Sequence, residues 1–147
     1  MTIQKATLRD LQIIKQHARQ VRRESIADHD TLLTANHRYS VVSATINSGG
    51  YYLVDSNQNK VRGWIGIGRN IDTLSGEIIG FISEIYILPE YREQGIAEKL
   101  CNRALCELED AGLKQVQLQV YVGNAAKQLY QKLGFTDTSV LMTKKLE

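Results

Sequence analysis

The run Arg92-Glu93-Gln94-Gly95-Ile96-Ala97 sets a cation, a glycine and a small residue where a strand pattern gives way to a helix pattern. Backbone N–H groups at a helix start lack partners within the helix, and the aligned peptide dipoles add partial positive charge there. Such an end suits a pyrophosphate. Gly95 lets the backbone approach phosphate oxygens, Ala97 keeps the contact open, and Arg92 adds a charge at the rim. A plainer reading stands beside this one, with Gly95 a packing glycine in the first helical turn and Arg92 a solvated charge. Dinucleotide binding is the weaker alternative, because the G-x-G-x-x-G fingerprint is missing at this point. Gly66-Ile67-Gly68 lies inside a strand pattern, where glycine marks a bulge or a close backbone approach.

The elements that must position this run can be followed along the chain. Ile3 to Leu8 reads as a strand, Asp10 as an N-cap, and Leu11, Ile14, Ala18 and Val21 as the apolar face of a helix. A less regular helical stretch runs from about Asp28 to Ile46 and stops near Gly49-Gly50. Tyr51 to Val54 and Val61 to Ile71 form a hairpin around a turn at 55–59. A long strand runs from Glu77 to Leu88 and is closed by Pro89. The next helix starts near Gln94, shows Ala97, Leu100, Cys101, Ala104, Leu105 and Leu108 on one face, and ends at Gly112. Val116 to Val122 is a further strand. Asn124 caps a short helix over residues 125–133, which Gly134 stops, and residues 136–146 have room for one or two more strands. No linker or repeat divides residues 1–147, which read as a single α/β domain with a mixed, mostly antiparallel sheet flanked by helices.

Composition bounds the function classes. The chain has 147 residues, 43% apolar and 23% charged, and a net charge of only +2, which offers no case for nucleic acid or a membrane surface. No apolar run is long enough to span a bilayer, and the start lacks the apolar core of a secretion signal, so a cytoplasmic protein is expected. Cys101 and Cys106 lie five apart on one helix and point in different directions, so no disulfide is expected. His17, His29 and His37 show no zinc-site spacing, and no metal is expected.

The order strand, Arg92-x-x-Gly95-x-Ala97, helix resembles the hallmark R/Q-x-x-G-x-G/A of the GNAT superfamily of N-acetyltransferases. Asn124 to Phe135 resembles that family's second signature, N-x-x-A-x-x-x-Y-x-x-x-G-F, with Gln128 where many relatives carry a small or apolar residue. Two signatures in the right order, separated by a helix and a strand, are more specific than either alone. The resemblance spans nearly the whole chain and implies acetyl-CoA as cosubstrate.

It also implies roles. Ile85, Tyr86 and Ile87 would pair through their backbone with pantetheine amides, and Arg92, Glu93, Gln94, Gly95, Ile96 and Ala97 would hold the pyrophosphate. Asn124, first of all a helix cap, would lie near the pantetheine arm, and Tyr130 would protonate the departing thiolate. Tyr130 also lies on an apolar face with Ala126, Leu129 and Leu133, so a structural tyrosine is the plain alternative. A base is needed for the acceptor amine, and Glu84 is the first candidate, with Glu77 second. Glu84 and Tyr86 share the face opposite Ile85 and Ile87, and if that face meets solvent Glu84 is merely exposed. The polar stretch Arg22, Arg23, Glu24, Asp28, His29 and Asp30 would border the acceptor, while Trp64 and Tyr52 are expected in the core. The expected activity is direct acetyl transfer to a primary amine of a small molecule or peptide, by a monomer or homodimer. A CoA-binding sensor without turnover is the alternative.

Overall fold

The structure, a computed structural model, describes residues 2–25 and 40–146. Five strands form one sheet in the order β1-β2-β3-β4-β5: β1 (Thr2–Lys5), β2 (Tyr51–Asn57), β3 (Lys60–Ile71), β4 (Ile78–Ile87) and β5 (Val116–Leu118). Neighbours pair antiparallel except β4 and β5, which run parallel. The parallel pair needs a crossover, supplied by helix α4 (Ile96–Asp110). The mixed, mostly antiparallel sheet is therefore as expected.

Each sheet face carries its own core. On one, α4 sets Ile96, Leu100, Cys101, Ala104 and Leu108 against Leu53, Ile65, Ile67 and Ile82, and Tyr130 joins from helix α5 (Ala126–Lys132). On the other, helices α1 (Leu8–Gln16), α2 (Ala18–Ser25) and α3 (Val41–Asn47) bring Ile14, Val21 and Val42 onto Tyr52, Val54, Trp64 and Tyr86. Trp64 is fully buried and Tyr52 1% exposed, the core positions expected of both. His17 hydrogen-bonds the Ile13 carbonyl and lies 5.7 Å from the Trp64 ring, a structural role.

Several boundaries differ from the sequence reading. The first strand stops at Lys5 because Thr7, not Asp10, is the N-cap of α1. Asp10 completes a capping box instead, its carboxylate accepting from the Thr7 N–H while Thr7 accepts from the Asp10 N–H. The hairpin turn is only Gln58-Asn59, both at positive φ, and Asp55 belongs to the strand, where it is fully buried against Arg62 at 2.7 Å. The helix after β4 begins at Ile96, with Gly95 as its cap. The strand expected over Val116 to Val122 is three residues long, and residues 136–146 take no strand: Val140, Leu141 and Met142 stay exposed. Of the helical stretch expected over 28–46, α3 is the described part. Asp28, His29, Asp30 and His37 lie outside the described residues.

Candidate active site

One extra residue in β4 shapes the centre of the molecule. Gly66 pairs with Glu84 and Ile67 with Ile82, so Ser83 is a bulge with no opposite number. Without it, Ile82 and Glu84 would share a face. Ile82 packs under α4, whereas Glu84 turns to the other side and accepts a hydrogen bond from the Tyr52 hydroxyl at 2.8 Å. Only Gly66 tolerates the crossing: a Cβ there would meet the Ser83 hydroxyl oxygen at 2.4 Å and the Tyr52 ring at 2.9 Å. Thr45 of α3 holds the bulge from outside, 2.8 Å from the Ser83 oxygen. The strand-interior glycine thus marks a bulge.

The bulge also ends the parallel pairing. Gly80 to Ile82 pair with Val116 to Leu118, and no ladder to β5 continues along Ser83 to Ile87. The two strands part there, which is why β5 is short. The opening is a cleft of about 1310 Å³ that runs from α3 past the end of β4 to α5. Of the residues nominated for donor binding and catalysis, Glu84, Ile85, Tyr86, Ile87, Arg92, Glu93, Gly95, Ile96, Ala97, Asn124 and Tyr130 line it, and Gln94 does not. Glu77 lies outside it, in the exposed turn before β4, where its N–H bonds the Ser75 hydroxyl.

At one end of the cleft, a short 3-10 turn (Pro89–Tyr91) leads into α4. Glu93 and Gly95 both adopt positive φ, 64° and 78°, which turns the backbone sharply before the helix. No side chain caps α4, and its first internal bond runs from the Lys99 N–H to the Gly95 carbonyl at 3.2 Å. The N–H groups ahead of Lys99 are therefore left to the cleft by the helix itself. Among the described residues, no atom beyond the glycine and its chain neighbours lies within 4 Å of where a Gly95 Cβ would stand, so the glycine answers to conformation and open space, not to packing.

Arg92 is less free than a rim cation. Its Nε donates to the Ile87 carbonyl at 2.9 Å, its guanidinium reaches Glu24 of α2 at 2.8 Å, and it stacks 5.1 Å from the Tyr86 ring centroid. The Tyr86 hydroxyl donates to the same Glu24 carboxylate. Although partial burial opposes it, these donors and the Arg92 charge hold the Glu24 carboxyl below its usual range. Nothing in the sequence near Arg92 signals a partner so far away.

At the cleft wall, Tyr130 is 8% exposed and lies edge-on to Phe135, with ring centroids 6.0 Å apart. Burial pushes its phenol well above the ordinary value, and the neighbouring Cys101 adds to this. The Asn124 side-chain oxygen accepts from the Ala126 N–H at 2.9 Å at the start of α5, although the cap position itself falls one residue later than expected, on Ala125. Glu84 is half-buried on the covered face, not on a solvent face. Burial raises its carboxyl above the usual range, against the Tyr52 hydroxyl, the Trp64 indole and the Arg22 charge, which pull it down. Among the described residues no three His, Cys, Asp or Glu side chains group as a metal site would require. Nor is any described helix long and apolar enough to cross a membrane.

A sheet split beside a bulge, with an uncapped helix start at the split, defines a class of protein. The sequence model of the family described as "Acetyltransferase (GNAT) family" matches residues 12–135, and the chain belongs to that family. It is similar to N-alpha-acetyltransferase 30 of Schizosaccharomyces pombe, 40% identical over 57 residues that cover 38% of each chain. The matches span 38% to 57% of the length of the first curated relatives. Among solved structures, a putative acetyl transferase from Pyrococcus furiosus shares the fold with a TM-score of 0.80 at 20% identity, over 99% of both chains. An acetyltransferase from Clostridium acetobutylicum solved with acetyl-CoA aligns with a TM-score of 0.71 at 19% identity, over 98% of this chain and 95% of that one.

Proposed function

We propose that residues 1–147 form one acetyltransferase unit that moves the acetyl group of acetyl-CoA directly to a primary amine of a small molecule or peptide. The observation that carries this reading is the convergence, in one cleft, of the Gly95 turn, the unpaired edge of β4 and the buried Tyr130. The open space above Gly95 and the N–H groups ahead of Lys99 fit a pyrophosphate. Arg92, Glu93, Gln94, Gly95, Ile96 and Ala97 contribute this cradle. Ile85, Tyr86 and Ile87 would offer backbone groups to the pantetheine amides, with Asn124 close to that arm. Two findings about relatives agree: one structural neighbour holds acetyl-CoA, and a sequence relative is named for acetylation at an α-nitrogen.

The chemistry divides between two side chains. An alkyl ammonium of pKa about 10.4 must lose a proton before it attacks, at a cost of roughly 4 to 5 kcal/mol at neutral pH. Glu84 takes that proton, directly or through a water, and its upward shift narrows the gap between base and ammonium. The amine nitrogen then attacks the thioester carbonyl carbon, the C–S bond breaks, and the sulfur leaves as thiolate. A free phenol of pKa about 10 protonates a thiolate of pKa about 8.5 only uphill, by about 2 kcal/mol. Burial of Tyr130 makes its phenol a weaker acid still, so Tyr130 acts chiefly by donating a hydrogen bond to the sulfur.

The test has two stages. Acetyl-CoA at a hundred times its dissociation constant should add about 2.7 kcal/mol to folding stability, read as a raised Tm. The absence of any shift at saturating ligand would sink the reading. Thiol release is then followed with polyamines, aminoglycosides, amino acids and peptides, and at least one should be acetylated. Binding without release on any acceptor would make the protein a CoA sensor instead.

A further inference from the structure

Glu84 owes its direction to the bulge, but its hold on that direction comes from another strand. Tyr52 lies in β2, two strands away from Glu84, and is 1% exposed, yet its hydroxyl reaches across β3 to the Glu84 carboxylate at 2.8 Å. The route passes over Gly66, the one residue of β3 at this point, and only the absence of a side chain there leaves the path open. Tyr52 pairs with Gly66, and Gly66 pairs with Glu84, so the three stand in one row across the sheet. Ser83 and Thr45 close the row on the α3 side, 2.8 Å apart. A buried tyrosine that served only the core would need no partner beyond a backbone carbonyl or water. This one spends its hydroxyl on a carboxylate at the wall of the cleft.

We propose that Tyr52 is a positioning residue for the base: its hydroxyl fixes the Glu84 carboxylate toward the cleft and sets the proton affinity at which it works. The inference rests on Glu84 being that base. A single hydrogen bond locks one carboxylate oxygen and leaves the other for the acceptor's proton. Because the phenol donates, it stabilises the ionised form, and it is a fixed donor because burial and the carboxylate both push its own proton loss far above neutrality. Among the described residues, the other groups facing Glu84 are the Trp64 indole of β3 and the Arg22 charge of α2, while Tyr86, next along the same face, is committed to Glu24. None of these replaces a donor held at 2.8 Å.

The experiment reads Glu84 itself. In protein carrying glutamate labelled with carbon-13 at the side-chain carboxyl, the Glu84 signal is the one lost in Glu84→Gln, and its titration is followed by NMR. Tyr52→Phe should move the midpoint upward, since the ionised form loses a donor and burial is opposed only by the Trp64 indole and the Arg22 charge. Tyr51→Phe is the control. Its neighbouring phenol binds Glu107 on the α4 side, and its removal should leave the Glu84 midpoint in place. With the best amine from the acceptor panel, Tyr52→Phe should lower kcat about tenfold, the worth of one hydrogen bond to a charged group, and carry the acid limb of the pH profile upward. An unmoved midpoint in Tyr52→Phe would overturn the proposal. If the midpoint moves but Glu84→Gln turns over at the wild-type rate, the contact stands and the base assignment falls.

Discussion

The loop that opens α4 and the bulge region lie on the same cleft and are built in opposite ways. The loop at Arg92 to Ala97 is contiguous in sequence, mostly exposed, and works through its backbone: two left-handed residues, an uncapped helix start and open space above Gly95. The bulge at Ser83-Glu84 is assembled from β2, β3, β4 and α3, and works through buried side chains whose contacts span 32 and 38 residues of sequence. The first depends on local conformation and the second on packing. A substitution in the loop should therefore damage ligand binding and spare stability, whereas one at the bulge should cost both stability and chemistry while sparing donor binding.

The largest effect is expected at Gly95. Gly95→Glu adds backbone strain of roughly 1–2 kcal/mol at φ 78° and places a carboxylate where phosphates would lie. Because no described atom beyond its chain neighbours lies within 4 Å of the new Cβ, the fold should survive. Acetyl-CoA affinity should fall at least a hundredfold by calorimetry, with far-UV circular dichroism unchanged. Unchanged affinity would remove Gly95 from the donor site and dissolve the contrast between the regions.

Gly66→Ala attacks the other side. Its Cβ would meet two side chains, the Ser83 oxygen at 2.4 Å and the Tyr52 ring at 2.9 Å, so they must give way. Overpacking of this kind costs about 1–3 kcal/mol. Chemical denaturation should report that loss, and turnover should fall as the Tyr52–Glu84 contact is forced apart. The dissociation constant of acetyl-CoA should stay within about twofold, because the loop shares no contact with Gly66. A variant as stable and active as the parent would show that the bulge does not aim Glu84.

The same contrast explains what was legible in the sequence. Arg92, Gly95 and Ala97 carry their meaning within six residues, and Asn124 to Gly134 do so within eleven, so local patterning sufficed to bring them to one cleft. The β2–β3 hairpin and the apolar face of α4 followed from periodicity in the same way. Alternation alone put Glu84 on a face shared with Tyr86, which holds, but could not say whether that face was covered. Coverage depends on α1 to α3, and the partner on a hydroxyl 32 residues away, and neither leaves a local mark. Gly66 was the one available sign of the bulge. The short β5 and the unpaired residues 136–146 were missed for a related reason, since strand propensity alone does not decide whether a segment pairs.

The smallest effect should come where the two halves touch. Glu24 of α2 binds Arg92 of the loop at 2.8 Å, and with side chains 36% and 41% exposed the pair is worth little, about 0–1 kcal/mol. Glu24→Gln removes a negative charge beside the proposed phosphate site and releases the guanidinium toward it. It keeps an acceptor for the Tyr86 hydroxyl. Acetyl-CoA should therefore bind more tightly, by no more than about fivefold, and the gain should shrink in high salt as surface pairs do. A change beyond tenfold in either direction would mean that Arg92 depends on Glu24 for its place. In that case the donor site would not be the locally built region that its sequence makes it look, because a side chain from the acceptor side would be part of it.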